Sequence, residues 1–174
     1  MNWPLVKAIL ILPGTVIIYV PTFIFWLTLG TKWEFFISNY NQVGFWLAAI
    51  FTVIGISLAV GSVRQFHRFG DGTPAPWNPP QNLVVKGPYR YVRNPMISGV
   101  LFILVAMSLY FQSWPLAGWS GIFFIANVFY FPFSEEKDLE KRFAEEYRIY
   151  KKNVPRWVPR LTPYTIIEKS NVNQ

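Results

Sequence analysis

The chain has 174 residues, enough for one domain, and is 52% hydrophobic and 19% aromatic, with a positive mean hydropathy of +0.27. A soluble core of this size does not bury that much apolar surface, so lipid is the expected solvent for the excess. With no cysteine and a single histidine, the sequence offers no disulfide scaffold, no thiol nucleophile and no ligand set for zinc, and no metal is expected.

The net charge of +7 would suit nucleic acid if the basic residues formed one patch, but they are distributed as in a membrane protein. Residues 8–31 and 43–63 carry no charge over 24 and 21 positions, each enough to cross a hydrocarbon core of roughly 30 Å. Residues 94–134 are uncharged over 41 positions and are interrupted near the middle by Gln112-Ser113-Trp114-Pro115, the pattern of a helical hairpin. The expected spans are residues 5–30, 43–63, 95–111 and 115–133. No signal-peptide cleavage pattern follows the first span, so it is expected to stay in the mature protein. Four crossings place the N-terminus, the 64–94 loop and the C-terminal tail on one side with all but one of the 16 Lys and Arg, Lys32 being the exception. The positive-inside rule makes that side cytoplasmic, and no nucleic-acid partner is expected.

In chain order, Pro13, Gly14 and Pro21 predict kinks in the first span. The second span carries Gly55, Ser57, Ala59, Gly61 and Ser62, small residues that let helices approach closely. It runs into Arg64, His67 and Arg68, which share one helical side. They are either a basic collar at lipid phosphates or a wall of a cytoplasmic site. Residues 70–80 are too rich in Gly and Pro for regular structure and predict a loop of restricted path, consistent with a preformed lid.

Residues 81–85 suit an extended segment leading into Lys86-Gly87-Pro88-Tyr89-Arg90-Tyr91-Val92-Arg93-Asn94-Pro95, with Asn94 as N-cap and Pro95 as first residue of the third span. After the hairpin, Ser134-Glu135-Glu136 opens a last helix with acids at the positive end of its dipole. Leu139, Phe143, Tyr147, Tyr150 and Val154 form an apolar stripe opposite Lys137, Lys141, Glu145, Arg148 and Lys152. This amphipathic helix is expected to lie on the interface or fold back over the bundle, with a turn in residues 154–160. The fold class is therefore all-α: a polytopic membrane bundle of about four transmembrane helices. It reads as one domain, with residues 1–63 as a two-helix base, 64–159 as core and 160–174 as tail.

Gly87-Pro88-Tyr89-Arg90-Tyr91-Val92-Arg93-Asn94-Pro95-Met96, a membrane hairpin, Glu135-Glu136, Phe143-Ala144-Glu145-Glu146-Tyr147 and Val154-Pro155 occur in an order that resembles a family of membrane methyltransferases. The family includes isoprenylcysteine carboxyl methyltransferases and phosphatidylethanolamine N-methyltransferases. The resemblance implies that S-adenosylmethionine binds at the cytoplasmic mouth of the bundle, held by Gln81, Asn82, Leu83, Val84, Tyr89, Asn94, Pro95, Met96, Ile97 and Glu135. Loop and amphipathic helix would together form this cofactor pocket. The isoprenylcysteine branch usually has His at position 94, although Asn can still donate to a cofactor carboxylate.

The carboxyl-methylating branch also carries Arg where this chain has Phe131, and phenylalanine cannot make the bidentate contact a substrate carboxylate needs. Arg148 or Arg156 would have to supply that charge, with His67 a further candidate for the substrate wall. A lipid amine fits better, and an ammonium must first lose a proton, for which Glu135 and Glu136 are the candidate bases. The expected partner is a membrane lipid or lipidated substrate. The alternatives are a sterol-reductase-like membrane enzyme using NADPH, and a scaffold whose charges only set topology.

Overall fold

The computed structural model describes residues 11, 13–71 and 79–165. Among them the elements are α1 (Thr15–Thr28), α2 (Val43–Phe69), α3 (Pro95–Tyr110), α4 (Trp114–Phe133) and α5 (Glu135–Asn153), with a short 3-10 turn at Gly87–Arg90 and no strand. The all-α expectation holds. By length and composition α2 and the run Trp114–Asn153 can each cross a membrane, whereas α1 and α3 are shorter apolar helices. Most of the lid loop (72–78), the start of the first expected span and the end of the tail (166–174) lie outside the described residues.

α2 does not stop at Val63 but continues through Arg64 and His67 to Phe69, a length of roughly 40 Å. It packs most closely on α3, and two glycines make this contact. A Cβ on Gly55 would meet the Gly99 carbonyl at 2.7 Å, and one on Gly99 would meet the Gly55 carbonyl at 2.8 Å. Backbones this close need small residues. Gly55 and Ser62 are buried on this face but Ser57 is exposed, which corrects its place in the expected packing stripe.

The first five residues of α1, Thr15–Tyr19, wind as a π-helix, and Pro21 explains how this stretch is tied to α4. In that winding the Val20 N–H donates to the Thr15 carbonyl, five residues back, so the Val16 carbonyl would be served by residue 21. Proline has no N–H to give. The Trp119 indole of α4 donates to the Val16 carbonyl instead, at 3.1 Å, and so pins α1 to the bundle.

α3 and α4 form the expected hairpin. Gln112 turns in the left-handed region (φ 46°), and the Ser113 side chain caps α4 by accepting from the Leu116 N–H. α4 passes into α5 with a break only at Ser134, just after Pro132 has removed one helical donor. Inside α5, Ala144 sits at φ 42° and ψ −116°, a conformation side-chain-bearing residues rarely adopt, and the helix kinks there. The apolar stripe still faces inward: Tyr147, Tyr150 and Val154 are buried against Val85, and Leu139, Phe143, Leu83 and Tyr164 pack around them. α5 therefore folds back over the loop that precedes α3.

Candidate functional site

Segment 89–93 leads into α3, and both α5 and the C-terminal segment hold it. The Tyr150 hydroxyl donates to the Tyr89 carbonyl at 2.7 Å. Backbone hydrogen bonds run from Arg93 N to Pro155 O, from Arg160 N to Tyr91 O and from Tyr164 N to Arg90 O, each 2.9 Å long. Arg90 adds side-chain bonds to the Tyr164 carbonyl and the Thr165 hydroxyl. Residues 160–165 thus brace the segment that leads into the site, although the sequence suggested only a tail.

Above α3 this framework encloses a cavity of about 530 Å³, within the roughly 300–1,000 Å³ range of small-molecule sites. Asn82, Leu83, Val84, Tyr89, Arg93 and Asn94 line it from the loop, and Met96, Ile97 and Val100 from α3. From α4 and α5 come Phe123, Asn127, Tyr130, Phe131, Ser134, Glu135, Asp138, Leu139, Arg142 and Phe143, spaced as one helical face across the Ser134 break. Pro13 and Val16 close the side toward α1.

Most of the residues singled out in the sequence meet here, but not all. Asn94 occupies the N-cap position of α3 without a side-chain cap, and its Nδ2 is buried with no hydrogen-bond partner. Pro95 is buried in the first turn of α3, and Gln81, whose N–H donates to the Gly70 carbonyl at 2.7 Å, stands behind the wall; neither lines the cavity. His67 is exposed and does not line it. Arg148 is exposed beside Glu145, and Arg156 is committed to Glu136, so neither replaces the arginine absent at position 131. Phe131 is 5% exposed and meets Trp157 edge-on, with ring centroids 6.0 Å apart.

The two adjacent glutamates part company. Glu136 is 3% exposed and lies outside the cavity lining; it binds Arg93 at 2.7 Å, Arg156 at 2.8 Å and Lys151 at 3.0 Å. Burial alone would raise its pKa, but the Lys151 ammonium, the hydrogen bond from Arg156 and the nearby charges of Arg93 and Arg156 overcome it and hold the carboxyl below the usual range. That corrects the expectation that Glu136 is free to act as a base. Glu135 faces the recess. Its exposed surface opens into this protein-walled space, and poor hydration there, followed by the neighbouring Glu136 charge, pushes it up to about 7. Burial likewise raises Tyr89, with partial relief from the Ser62 hydroxyl.

Sequence reasoning missed Asn127, Asp138 and Arg142. Asn127 was visible as a lone carboxamide in an uncharged span, a placement that favours function. Its Nδ2 donates to the Phe123 carbonyl at 2.7 Å, which leaves the oxygen end for the cavity. Arg142 donates to the Pro80 carbonyl and ties the cavity rim to α5. Among the described residues no cluster of three or more His, Cys, Asp or Glu could hold a metal ion.

The structure is an apolar helical bundle with a cavity at one end, lined by acids, amides and aromatic rings. The family model for phospholipid methyltransferase matches residues 43–146, well over half of the chain, and the chain belongs to that family. It is a membrane methyltransferase. No curated protein and no solved structure matches it. The matched segment contains the closely packed α2–α3 pair and nearly all of the cavity wall, while α1 and the C-terminal segment lie outside it.

Proposed function

We propose that the protein transfers the methyl group of S-adenosylmethionine to the amine of a lipid headgroup. The observation that carries this reading is the pairing of Phe131 and Glu135, one helical turn apart on the cavity wall. A carboxylate acceptor would need a cation at position 131 and no base; an ammonium acceptor needs no cation there but must lose a proton. The chain supplies a ring and a carboxyl pushed up to about 7, the pattern suited to the second acceptor.

The cavity suits the cofactor chemically. Asn82, Leu83, Val84 and Tyr89 offer a mixed wall for a nucleoside, Met96 and Ile97 an apolar floor, and Asn94 a buried donor without a partner. When bound, S-adenosylmethionine supplies a methyl group on a positively charged sulfur, transferred by direct displacement without metal or protein nucleophile. Glu135, on the cavity wall, is placed to take the proton of the acceptor ammonium, which would free the nitrogen lone pair for the methyl group. The protein otherwise works by alignment and by keeping water out. Pro13, Val16 and Phe123 make the side toward α1 apolar, which suits acyl chains arriving from the bilayer. With the loop end cytoplasmic, as the basic residues imply, the cofactor enters from water and the lipid from the membrane.

The test is a radiolabelled methyl-donor assay on purified protein, with extracted membrane phospholipids and a farnesylcysteine analogue in parallel. Label in the amine phospholipids alone is expected. Label in the analogue would overturn the amine reading, and absence of S-adenosylmethionine binding in calorimetry would overturn the cofactor.

A further inference from the structure

Asn127 is a polar side chain of the cavity wall that neither cofactor binding nor proton transfer accounts for. It sits half-buried in the uncharged α4 span, with its Nδ2 donating to the Phe123 carbonyl at 2.7 Å. That bond fixes which end of the carboxamide is which, because an oxygen turned toward a carbonyl would find no donor there. Oδ1 is left for the cavity, and none of the described residues donates to it. Polar side chains inside a membrane span generally have partners. The cavity residues on this side, Pro13, Val16, Val100 and Phe123, are apolar, which leaves a bound molecule to supply the donor.

Depth says which part of that molecule it is. Asn127, Phe131 and Glu135 follow one another at four-residue intervals along the cavity wall, so Asn127 lies about 12 Å further into the bundle than Glu135. Both side chains lean toward the start of the helix, so their tips are separated by a similar distance, and an amine held at Glu135 does not also reach Asn127. In a phospholipid with an ethanolamine headgroup, eight bonds separate the nitrogen from the oxygen on the middle glycerol carbon, roughly 10 Å at about 3.8 Å per three extended bonds. Asn127 therefore meets the lipid where the headgroup joins the chains.

A diacyl lipid carries only ester oxygens at that level, and two acceptors facing each other satisfy neither. We infer that Asn127 is a specificity-determining residue, and that the acceptor is an amine phospholipid with a hydrogen-bond donor where a diacyl lipid has an ester. The donor is either the free hydroxyl of a single-chain lysolipid or the amide N–H of a sphingolipid. The inference rests on the methyl-transfer reading and narrows its substrate class.

Two matched pairs test it on the purified full chain in detergent. One is lysophosphatidylethanolamine with its 2-O-methyl ether, the other ceramide phosphoethanolamine with its N-methylated amide; in each pair a single methyl group removes the donor. Calorimetric binding with S-adenosylhomocysteine present, and kcat/KM for methyl transfer, should both favour the donor-bearing member of at least one pair about tenfold, the worth of a hydrogen bond whose acceptor is otherwise unpaired. The pair that responds names the carrier. Asn127→Leu should bring the donor-bearing lipid down to its methylated partner and leave that partner and S-adenosylhomocysteine within about twofold. The Phe123 carbonyl keeps its helical bond from the N–H of residue 127 in this variant.

A wild-type protein that binds both members of both pairs alike would overturn the inference, whether or not the variant folds. So would a variant that weakens both members of a pair equally, since Asn127 would then act through the fold. Selective binding without methyl transfer to any amine lipid would sink the amine reading and leave the donor site standing. Transfer to all four lipids with equal kcat/KM would do the reverse.

Discussion

The two ends of the bundle treat their polar groups differently. At the end formed by residues 29–42 and 111–113, Ser38 donates to the Leu109 carbonyl at 2.9 Å and accepts from Gln112, which also bonds Gln42 at 2.7 Å. The N–H groups of Phe36 and Ser38 donate to the last carbonyls of the hairpin's first arm. At the loop end, by contrast, lie Arg93 Nε, Asn94 Nδ2 and Trp157 Nε1, buried without partners. The Glu136 Oε2 atom there has Lys151 near but out of hydrogen-bonding geometry. Among the described residues these are the buried side-chain polar atoms left unbonded. An end that only closes the fold satisfies its own groups; an end that binds leaves groups for the ligand.

The sharpest way to exploit this contrast is to neutralise Glu135. Glu135→Gln keeps the shape of the side chain but removes the base, so methyl transfer is expected to fall about 10²- to 10⁴-fold. Stability should move the other way. The folded pKa of Glu135 is raised to about 7, so its protonated form favours the fold, and that contribution is lost as pH rises through about 7. Above that pH the glutamine variant should therefore melt no lower than wild type. The wild-type profile of kcat/KM against pH should have an acidic limb near 7, and the variant should lack it. A limb that survives the substitution would assign the base elsewhere.

Glu136 should show the opposite balance, with the larger effect on folding. Glu136→Gln leaves Arg93, Arg156 and Lys151 without their shared carboxylate, and breaking a buried pair in this way costs about 3–5 kcal/mol, toward the lower end here because Lys151 is partly exposed. The folded pKa of Glu136 lies below its unfolded value, so its contribution is present above the ordinary carboxylate range and is lost as pH falls through the folded value. Thermal melts of the two proteins should differ at neutral pH and converge in acid. If they differ equally at both, the ion cluster is not the cause.

That neighbours with the same side chain differ so much was not legible in the sequence. Adjacent helical residues point about 100° apart, so the two glutamates cannot share one face, but the nearly all-apolar hairpin before them carries too few polar positions to mark which of its faces looks into the cavity. The membrane segments were legible because charge-free runs leave few alternatives, and so was the stripe from Leu139 to Val154, because its period is that of a helix. The pairing of residues 90–93 with 155–164 was hidden for a different reason: it uses backbone groups of irregular segments, which impose no side-chain pattern. Nothing in Phe143-Ala144-Glu145 announces the kink at Ala144, which tertiary packing imposes on good helix formers.

A smaller effect is expected where the contact is shape rather than charge. The Gly55→Ala substitution would place a methyl group 2.7 Å from the Gly99 carbonyl and from the Ile103 side chain, so α2 and α3 must separate. Overpacking of this kind costs about 1–3 kcal/mol. Because Met96, Ile97 and Val100 of α3 form the cavity floor, S-adenosylhomocysteine affinity should fall together with the melting temperature. A variant that melts lower with unchanged affinity would show that the floor does not depend on the glycine contact.

The mildest change is the one that tests whether the far end has any role beyond closure. Ser38→Ala removes a buried hydroxyl, 4% exposed at the level of the residue, which both donates to Leu109 and accepts from Gln112. Gln112 keeps its bond to Gln42, so only the Leu109 carbonyl loses a partner, and the expected cost is about 1 kcal/mol. Binding and methyl transfer should be unaltered, since every group involved lies at the opposite end of α3 from Arg93 and Asn94. A change in cofactor affinity from so small a perturbation would mean that α3 transmits far-end packing to the cavity, and the division of labour between the two ends would no longer hold.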